Sequence, residues 1–233
     1  DLTGKTIALG SEGWIPIVDP ILIEAGVDPK SVKYVNLGPQ WGQSVSLGQA
    51  DAALAWRGLQ TEWGAAGMKL KFLVGKTFSQ HPANGYCIKR ADLTDATRRD
   101  IMNRFFKGVA MGLHFGRTNP QAAAQITYEA LPAVQEKFKD PQMALDSMWE
   151  LGGNYFDGDK MGKGYGYSNI DGWNAYIDTI FKLGQIKTRP KTEEVVTNDF
   201  IADANKFDKA RVEKDAKGYA VSDKFKNLVV HEM

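Results

Sequence analysis

Several residues that could do chemistry in this chain follow the ends of predicted β-strands. The strand predicted over residues 5–9 runs into a turn over residues 10–14, which has the sequence GSEGW. Backbone N–H groups of such a turn, together with the start of the next helix, form a natural seat for an anion. We therefore expect Ser11 and Gly13 to contact a ligand, with ordinary turn chemistry as the alternative.

The neighbouring residues bear on which ligand would bind. Glu12 would oppose an anion unless its side chain turns outward or pairs with Arg57, and Trp14 could stack on a flat ligand or cover the core. The strand predicted over residues 52–56 ends at Trp56, followed by Arg57. Ligands of open α/β sheets bind at the carboxyl ends of strands, so both should face the same crevice. The guanidinium of Arg57 can bond two oxygens of a carboxylate or sulfonate, the alternative being an exposed arginine at a helix start.

These residues are positioned by strands that alternate with helices over the first 90 residues. The pattern predicts strands at residues 5–9, 32–36, 52–56, 70–74 and 86–89, and helices at residues 14–25, 39–47 and 59–66. Such alternation is typical of βαβ units and a mostly parallel sheet. The predicted fold class is therefore α/β.

From residue 92 onward the pattern predicts a helix-rich part. An amphipathic helix is predicted over residues 94–117, and the pairs Asn119-Pro120 and Asp140-Pro141 should each begin another. A capping box of Ser168 and Asp171 predicts a helix through residue 183. The stretch over residues 152–167 predicts a loop, and one more helix is expected near residues 199–207.

Composition excludes several classes of protein. The 233 residues include 29 Lys and Arg against 28 Asp and Glu, a net charge of +1 that argues against a nucleic-acid partner. No apolar run approaches the roughly 18 residues that span a bilayer. The single cysteine, Cys87, excludes an internal disulfide and any multi-cysteine metal site.

No catalytic constellation is present in the sequence, so we predict no enzyme, no catalytic residue and no cofactor. The glycine-rich stretch over residues 158–166 is one residue short of a phosphate-binding loop, and it has Gly164 where serine or threonine is required. His81, His114 and His231 stand in unrelated contexts, so no metal site is expected.

The first 75 residues resemble a known family. The carrying segments are DLTGKTI at residues 1–7, EAGVDP at 24–29, VNL at 35–37 and LGQADAA at 47–53, with Trp56 after them. They are similar to the NMT1/THI5-like (SsuA/TauA/ThiY-type) periplasmic substrate-binding proteins of ABC importers for sulfonates, taurine, nitrate, thiamine-precursor pyrimidines and aromatic carboxylates. One departure is that Arg57-Gly58 follows the tryptophan, where family members often have Glu-Pro.

The resemblance implies a two-lobed periplasmic-binding-protein type II fold that closes on a small organic anion and delivers it to an ABC permease. Residues 1–80 would form the second lobe, and residues 81–233 would return to the helix-rich first lobe. The location implied is periplasmic after removal of a signal peptide, or membrane-tethered outside a Gram-positive cell. Trp41 would lie nearer the sheet edge, and Phe78, Ser79 and Asn84 could line the cleft.

The resemblance further implies that an N-terminal segment of the first lobe is missing, because the opening motif of the second lobe stands at residues 2–7. Phe105, Val109 and Leu113 would then need cover from that segment, from an oligomer or from rearranged packing. Two alternatives stay open. One is the pyrimidine-precursor synthase of the same family, which is associated with a Cys-rich motif and pyridoxal phosphate, whereas this chain has only Cys87. The other is an effector-sensing domain of a transcription regulator.

Overall fold

A three-stranded parallel sheet forms the first part of the chain. The computed structural model describes residues 2–82, 85–153 and 157–231. Strands β1 (Thr6–Leu9), β2 (Lys33–Asn36) and β3 (Ala52–Ala53) lie in the order β2-β1-β3. Ile7 is in register with Tyr34 on one side and with Ala52 on the other. The predicted α/β class is confirmed.

The central position of β1 follows from its uninterrupted apolar sequence. Ile7, Ala8 and Leu9 are almost completely buried, as expected of a parallel strand covered on both faces. The start of the strand is fixed by Asp51, whose carboxylate accepts hydrogen bonds from the Thr6 N–H (2.9 Å) and the Lys5 ammonium (3.2 Å). These two donors lower the pKa of Asp51.

Three helices follow the strands, each close to its predicted position: α1 (Ile15–Glu24), α2 (Trp41–Ser46) and α3 (Arg57–Ala65). Helix α1 continues through Pro20 as one helix and buries Val18 and Leu22 against the sheet. It ends before Gly26, which has a φ of +75° that a glycine adopts without steric cost. The Tyr34 hydroxyl donates to Asp19 (2.6 Å) and ties β2 to α1; burial and this carboxylate raise the pKa of Tyr34.

Two of the five predicted strands are wrong. Neither residues 70–74 nor residues 86–89 form strands, and β3 spans only two residues rather than five. The mostly apolar sequence of residues 70–74, LKFLV, fits a strand, but a strand also needs a neighbour to receive its backbone hydrogen bonds. Leu73 is 70% exposed and Tyr86 is 55% exposed, so neither segment is buried in a sheet.

The regular secondary structure in the rest of the described chain is helical. Its helices are α4 (Ala96–Thr118), α5 (Pro120–Ala130), α6 (Pro132–Lys137), α7 (Pro141–Gly153), α8 (Asp157–Lys160), α9 (Ile170–Lys182), α10 (Ile201–Ala204), α11 (Lys209–Gly218) and α12 (Asp223–Lys226). Asn119 caps α5 as predicted, because its side chain accepts from the Ala122 N–H (3.0 Å). The predicted cap of α9 is wrong by one residue: Asn169 caps it, and the Ser168 backbone is held by Asn198 instead.

The chain forms two compact units. One contains residues 1–83 and 169–196, and the other contains residues 84–168 and 197–233. Helix α9 therefore belongs with the sheet, where it contacts α1, although the sequence pattern groups it with the later helices. The assignment of residues 1–80 and 81–233 to two lobes stays a prediction.

The second unit has a core between helices α5, α7 and α12, where Leu145 and Phe225 are almost completely buried. On α4, Phe105 is 51% exposed and Ile101 is 45% exposed, whereas Val109 and Leu113 are half-buried. No helix in the described part of the chain is both long enough and apolar enough to cross a bilayer.

The glycine-rich stretch over residues 158–166, predicted as part of a loop, begins within α8 and continues as turns. The carbonyl of Gly158 accepts hydrogen bonds from the N–H groups of Lys163 (2.8 Å) and Gly164 (3.1 Å). Tyr165 is 2% exposed, and its hydroxyl lies 2.9 Å from Nδ1 of His114 on α4. Burial is the main cause that raises the pKa of this tyrosine. The stretch is thus anchored to a helix by its buried tyrosine.

Candidate functional site

The turn after β1 is organised by Ser11. Its hydroxyl accepts a hydrogen bond from the Gly13 N–H (3.2 Å) and caps a short 3-10 turn over Glu12–Trp14. The side chain of Glu12 is exposed, in line with the outward orientation considered from the sequence. Ser11 and Gly13 are therefore engaged with each other in a local turn, and a contact of either with a ligand stays a prediction.

Three tryptophans from three strand-end segments meet at the carboxyl edge of the sheet. Trp14 follows β1, Trp41 follows β2 and Trp56 follows β3. The rings of Trp14 and Trp41 have centroids 5.4 Å apart, and each lies 6.1 Å from the ring of Trp56. Trp14 meets both neighbours edge-on, whereas Trp41 and Trp56 stack with an interplanar angle of 28°. We call these three rings the tryptophan cluster.

Trp41 contacts both other rings of the cluster, although its position after β2 predicted a place nearer the sheet edge. Its indole N–H donates to the Leu54 carbonyl (2.8 Å) and so joins the segment after β2 to the segment after β3. The close approach of the rings requires a glycine at position 10, because a Cβ there would lie 2.7 Å from Trp14 and 3.3 Å from Trp41. The missing side chain of Gly10 leaves the space that two tryptophans fill.

Trp63 packs against Trp41 and so supports the tryptophan cluster, a role that was not predicted from the sequence. It is 7% exposed, and its ring lies 5.6 Å from that of Trp41 and 6.0 Å from that of Phe72. A Cβ at Gly42 would lie 2.4 Å from the Trp63 ring, so α2 and α3 pack in close contact there. The distribution of tryptophan in the sequence indicates such a cluster, since four of the six tryptophans occur within the first 63 residues.

Trp14 and Trp56 differ in exposure. Trp14 is half-buried and packs against the core formed by Ile7 and Leu9, so it covers the core as one of its two interpretations proposed. Trp56 is 53% exposed although its ring is in contact with two others. Within the cluster, Trp56 is thus the residue with the largest indole surface available to a ligand.

Arg57 begins α3 directly after Trp56. It is half-buried, and Trp56 provides no side-chain cap for the helix. The positive end of a helix dipole favours negative charge, and an arginine at the same end adds a full positive charge. Trp56 and Arg57 thus place an exposed aromatic surface beside a positively charged helix end.

The other residues expected to line the cleft are Phe78, Ser79 and Asn84, which lie later in the sequence than the tryptophan cluster. Phe78 is 40% exposed, and the hydroxyl of Ser79 accepts from the His81 N–H (3.1 Å). Asn84 lies outside the described residues. Among residues 2–82, 85–153 and 157–231, no group of three or more His, Cys, Asp or Glu side chains is placed to hold a metal ion.

A second concave surface of the first unit lies between α9 and residues 186–195. Its volume is about 430 Å³, and its lining from α9 consists mostly of apolar side chains, including Trp173 and Ile180. None of its residues was predicted from the sequence to bind a ligand. It offers a second surface for ligands that bind through apolar contact.

The sequence of residues 1–123 matches the model of the family described as NMT1/THI5 like. The chain belongs to this family. The match covers β1, β2, β3 and the tryptophan cluster, and it extends through α4, beyond the segments that carry the resemblance. A search among curated proteins finds no significant match. Membership of a family made up mostly of binding proteins, with some synthases, indicates a substrate-binding role.

Proposed function

We propose that this protein is the solute-binding component of an ABC importer and captures a small organic anion at the carboxyl edge of its sheet. The observation that carries the proposal is the meeting of Trp14, Trp41 and Trp56, with Arg57 beginning α3 next to Trp56. Ligands of open α/β sheets bind at this edge. Family membership supports the substrate-binding part of the proposal.

In this proposal Arg57 holds the acidic group of the ligand. A guanidinium can donate two parallel hydrogen bonds to a carboxylate or sulfonate, which fixes orientation as well as affinity. The start of α3 adds the favourable end of a helix dipole. Ser11 and the N–H groups of residues 11 and 12 complete the anion seat, since the N–H groups of Gly13 and Trp14 already donate to Ser11. The exposed carboxylate of Glu12 restricts the seat to ligands whose own negative charge lies away from it.

The proposal includes a cellular setting. The protein would work outside the cytoplasmic membrane, in the periplasm or tethered to a Gram-positive cell surface, and would pass its ligand to an ABC permease. Closure of two lobes over the ligand is the family mechanism that we carry over. Native mass spectrometry of the protein purified from its host would identify a ligand that copurifies.

The decisive test replaces Arg57. In titration calorimetry with a panel of carboxylates and sulfonates, Arg57→Ala should weaken binding of the anions by about 1.5–3 kcal/mol, the range of hydrogen bonds to charged groups. Arg57→Lys should lose less affinity, because lysine keeps the positive charge and lacks only the planar guanidinium group. Arg211→Ala is a matched control, since Arg211 is well exposed in the other unit (79% for its side chain). Unchanged affinity in Arg57→Ala would remove Arg57 from the site.

A binder should return its ligand unmodified. Incubation of the protein with an anion that it binds, followed by mass spectrometry, should recover the anion with its original mass. Turnover would instead favour the synthase alternative, in which a family member converts its substrate.

A further inference from the structure

We propose that the ligand of this site has a planar conjugated body, which stacks on the exposed face of Trp56 while its acidic group binds at Arg57. The inference rests on the proposed function and narrows it to planar, ring-bearing anions. Aliphatic and inorganic anions would then bind only weakly, through the charged group alone.

The ring of Trp56 is supported by neighbouring rings that are themselves held in place. Its ring stacks on Trp41, and the Trp41 indole N–H is fixed to the Leu54 carbonyl (2.8 Å). Trp41 in turn contacts Trp63, which is 7% exposed and closely packed on Gly42. Since its neighbours are held in place, Trp56 loses little further conformational freedom when a ligand stacks on it.

The packing of Trp56 against its neighbours leaves part of its ring open. Trp56 remains 53% exposed even though two tryptophans contact it. A flat indole surface gains most from another flat, polarizable ring, which can approach over its whole area. An aliphatic body of equal size touches the same surface with fewer atoms at optimal distance.

The site also contains a positive charge. Arg57 follows Trp56 directly in the sequence and begins α3, so the chain carries a positive charge one residue after the aromatic side chain. A ring with a carboxylate or sulfonate attached directly to it matches this order of features. A ring without charge would lack the anion contact, and a small anion without a ring would leave Trp56 exposed.

The test compares three sulfonates with the same acidic group. Benzenesulfonate carries a planar ring, cyclohexanesulfonate carries a puckered ring with the same number of carbon atoms, and methanesulfonate carries no ring. By calorimetry on the full chain, benzenesulfonate should bind about five- to 100-fold more tightly than cyclohexanesulfonate, as expected of one ring stacked on an aromatic side chain. Cyclohexanesulfonate should in turn stay within about tenfold of methanesulfonate.

Three variants locate the effect. Trp56→Ala should bring the affinities for benzenesulfonate and cyclohexanesulfonate close together, and Trp56→Phe should restore most of the difference because it restores a ring. Trp173→Ala should change neither, since Trp173 lines the separate concave surface beside α9. Loss of the preference in Trp173→Ala, with Trp56→Ala unaffected, would assign the ring to that surface and overturn the inference.

The outcomes also separate this inference from the proposed function. Equal binding of all three sulfonates, weakened by Arg57→Ala, would overturn the planar-ligand inference and leave the anion site intact. A preference for benzenesulfonate that Trp56→Ala does not reduce would likewise overturn it. Failure of all three sulfonates and of the carboxylates in the calorimetry panel to bind would contradict both proposals.

Discussion

At the scale of single residues, a buried contact between a histidine and a carboxylate holds the segment that follows the sheet. The imidazole of His81 is 7% exposed, and its Nδ1 lies 3.1 Å from the Glu24 carboxylate at the end of α1. Glu24 also accepts from the Gln80 N–H (3.3 Å), and the His81 ring contacts the ring of Tyr176 on α9. A Cβ at Gly172 would lie 2.2 Å from the Gln80 carbonyl, so the backbone of this segment lies directly on α9.

This pair predicts a loss of stability in mild acid. Burial lowers the pKa of His81, and Glu24 opposes that effect only in part. The unfolded chain therefore binds a proton more readily than the folded one, and the free energy of unfolding should fall as the pH drops below the ordinary histidine value of 6.5. His81→Gln, which cannot titrate, should show a smaller fall between pH 7 and pH 5 in urea unfolding.

Glu24→Gln provides the opposite test. Without the carboxylate, burial acts on His81 unopposed, so the loss of stability in acid should become steeper than in the unmodified protein. Parallel stability curves for the unmodified protein and for His81→Gln would show that this histidine does not couple folding to pH.

At the scale of elements, two phenylalanines of the second unit differ in how their helices pack. Phe225 on α12 is 1% exposed and contacts the ring of Tyr128 on α5. Phe105 on α4 is 51% exposed and contacts only the neighbouring rings of Tyr86 and Phe106 among the described aromatic residues. The same substitution should therefore have very different costs at the two positions.

The prediction is a cost of about 3–5 kcal/mol for Phe225→Ala, the range for removing a buried aromatic side chain. Phe105→Ala should cost about 1 kcal/mol or less, because little more than ring–ring contact is lost. Urea unfolding followed by circular dichroism measures both free energies of unfolding. Similar costs for the two variants would mean that Phe105 is covered in solution, by a partner or by a second copy of the chain.

At the scale of the whole molecule, the path of the chain differs from its sequence order. Residues 169–196 join the unit of the sheet after 85 residues of the other unit, residues 84–168. Ile177 on α9 is 2% exposed within the first unit, whereas Leu145 on α7 is completely buried within the second. These two residues make the division of the molecule testable.

Ile177→Ala should lower the stability of the first unit by about 2–5 kcal/mol, the range for large-to-alanine changes in a core. Amide hydrogen exchange should accordingly speed up in β1, which is distant in sequence, more than in α7, which is closer to position 177. Leu145→Ala is the matched control and should give the reverse pattern. Faster exchange in α7 than in β1 for Ile177→Ala would contradict the division into these units.

The sequence by itself determined the features that depend on neighbouring residues. The apolar run of β1, the stop of α1 before Gly26 and the cap of α5 by Asn119 each depend on a few adjacent side chains and backbone groups. The alternation of strands and helices, the α/β class and the strand-end positions of Trp14, Trp56 and Arg57 follow from the same local patterns. Such interactions involve only residues close together in the sequence, so a local pattern is enough to predict them.

Tertiary structure alone decided the pairings between distant segments. Residues 70–74 have the apolar character of a strand but pair with no other strand in the described part of the chain. Helix α9 joins the first unit because its buried face packs there. The tryptophan cluster has the same origin, since Trp41 meets Trp14 and Trp56 only after β2, β1 and β3 align in parallel register. The sequence places each ring at the end of a strand, but the distance between rings depends on strand order and on the space left by Gly10, which are properties of the folded chain.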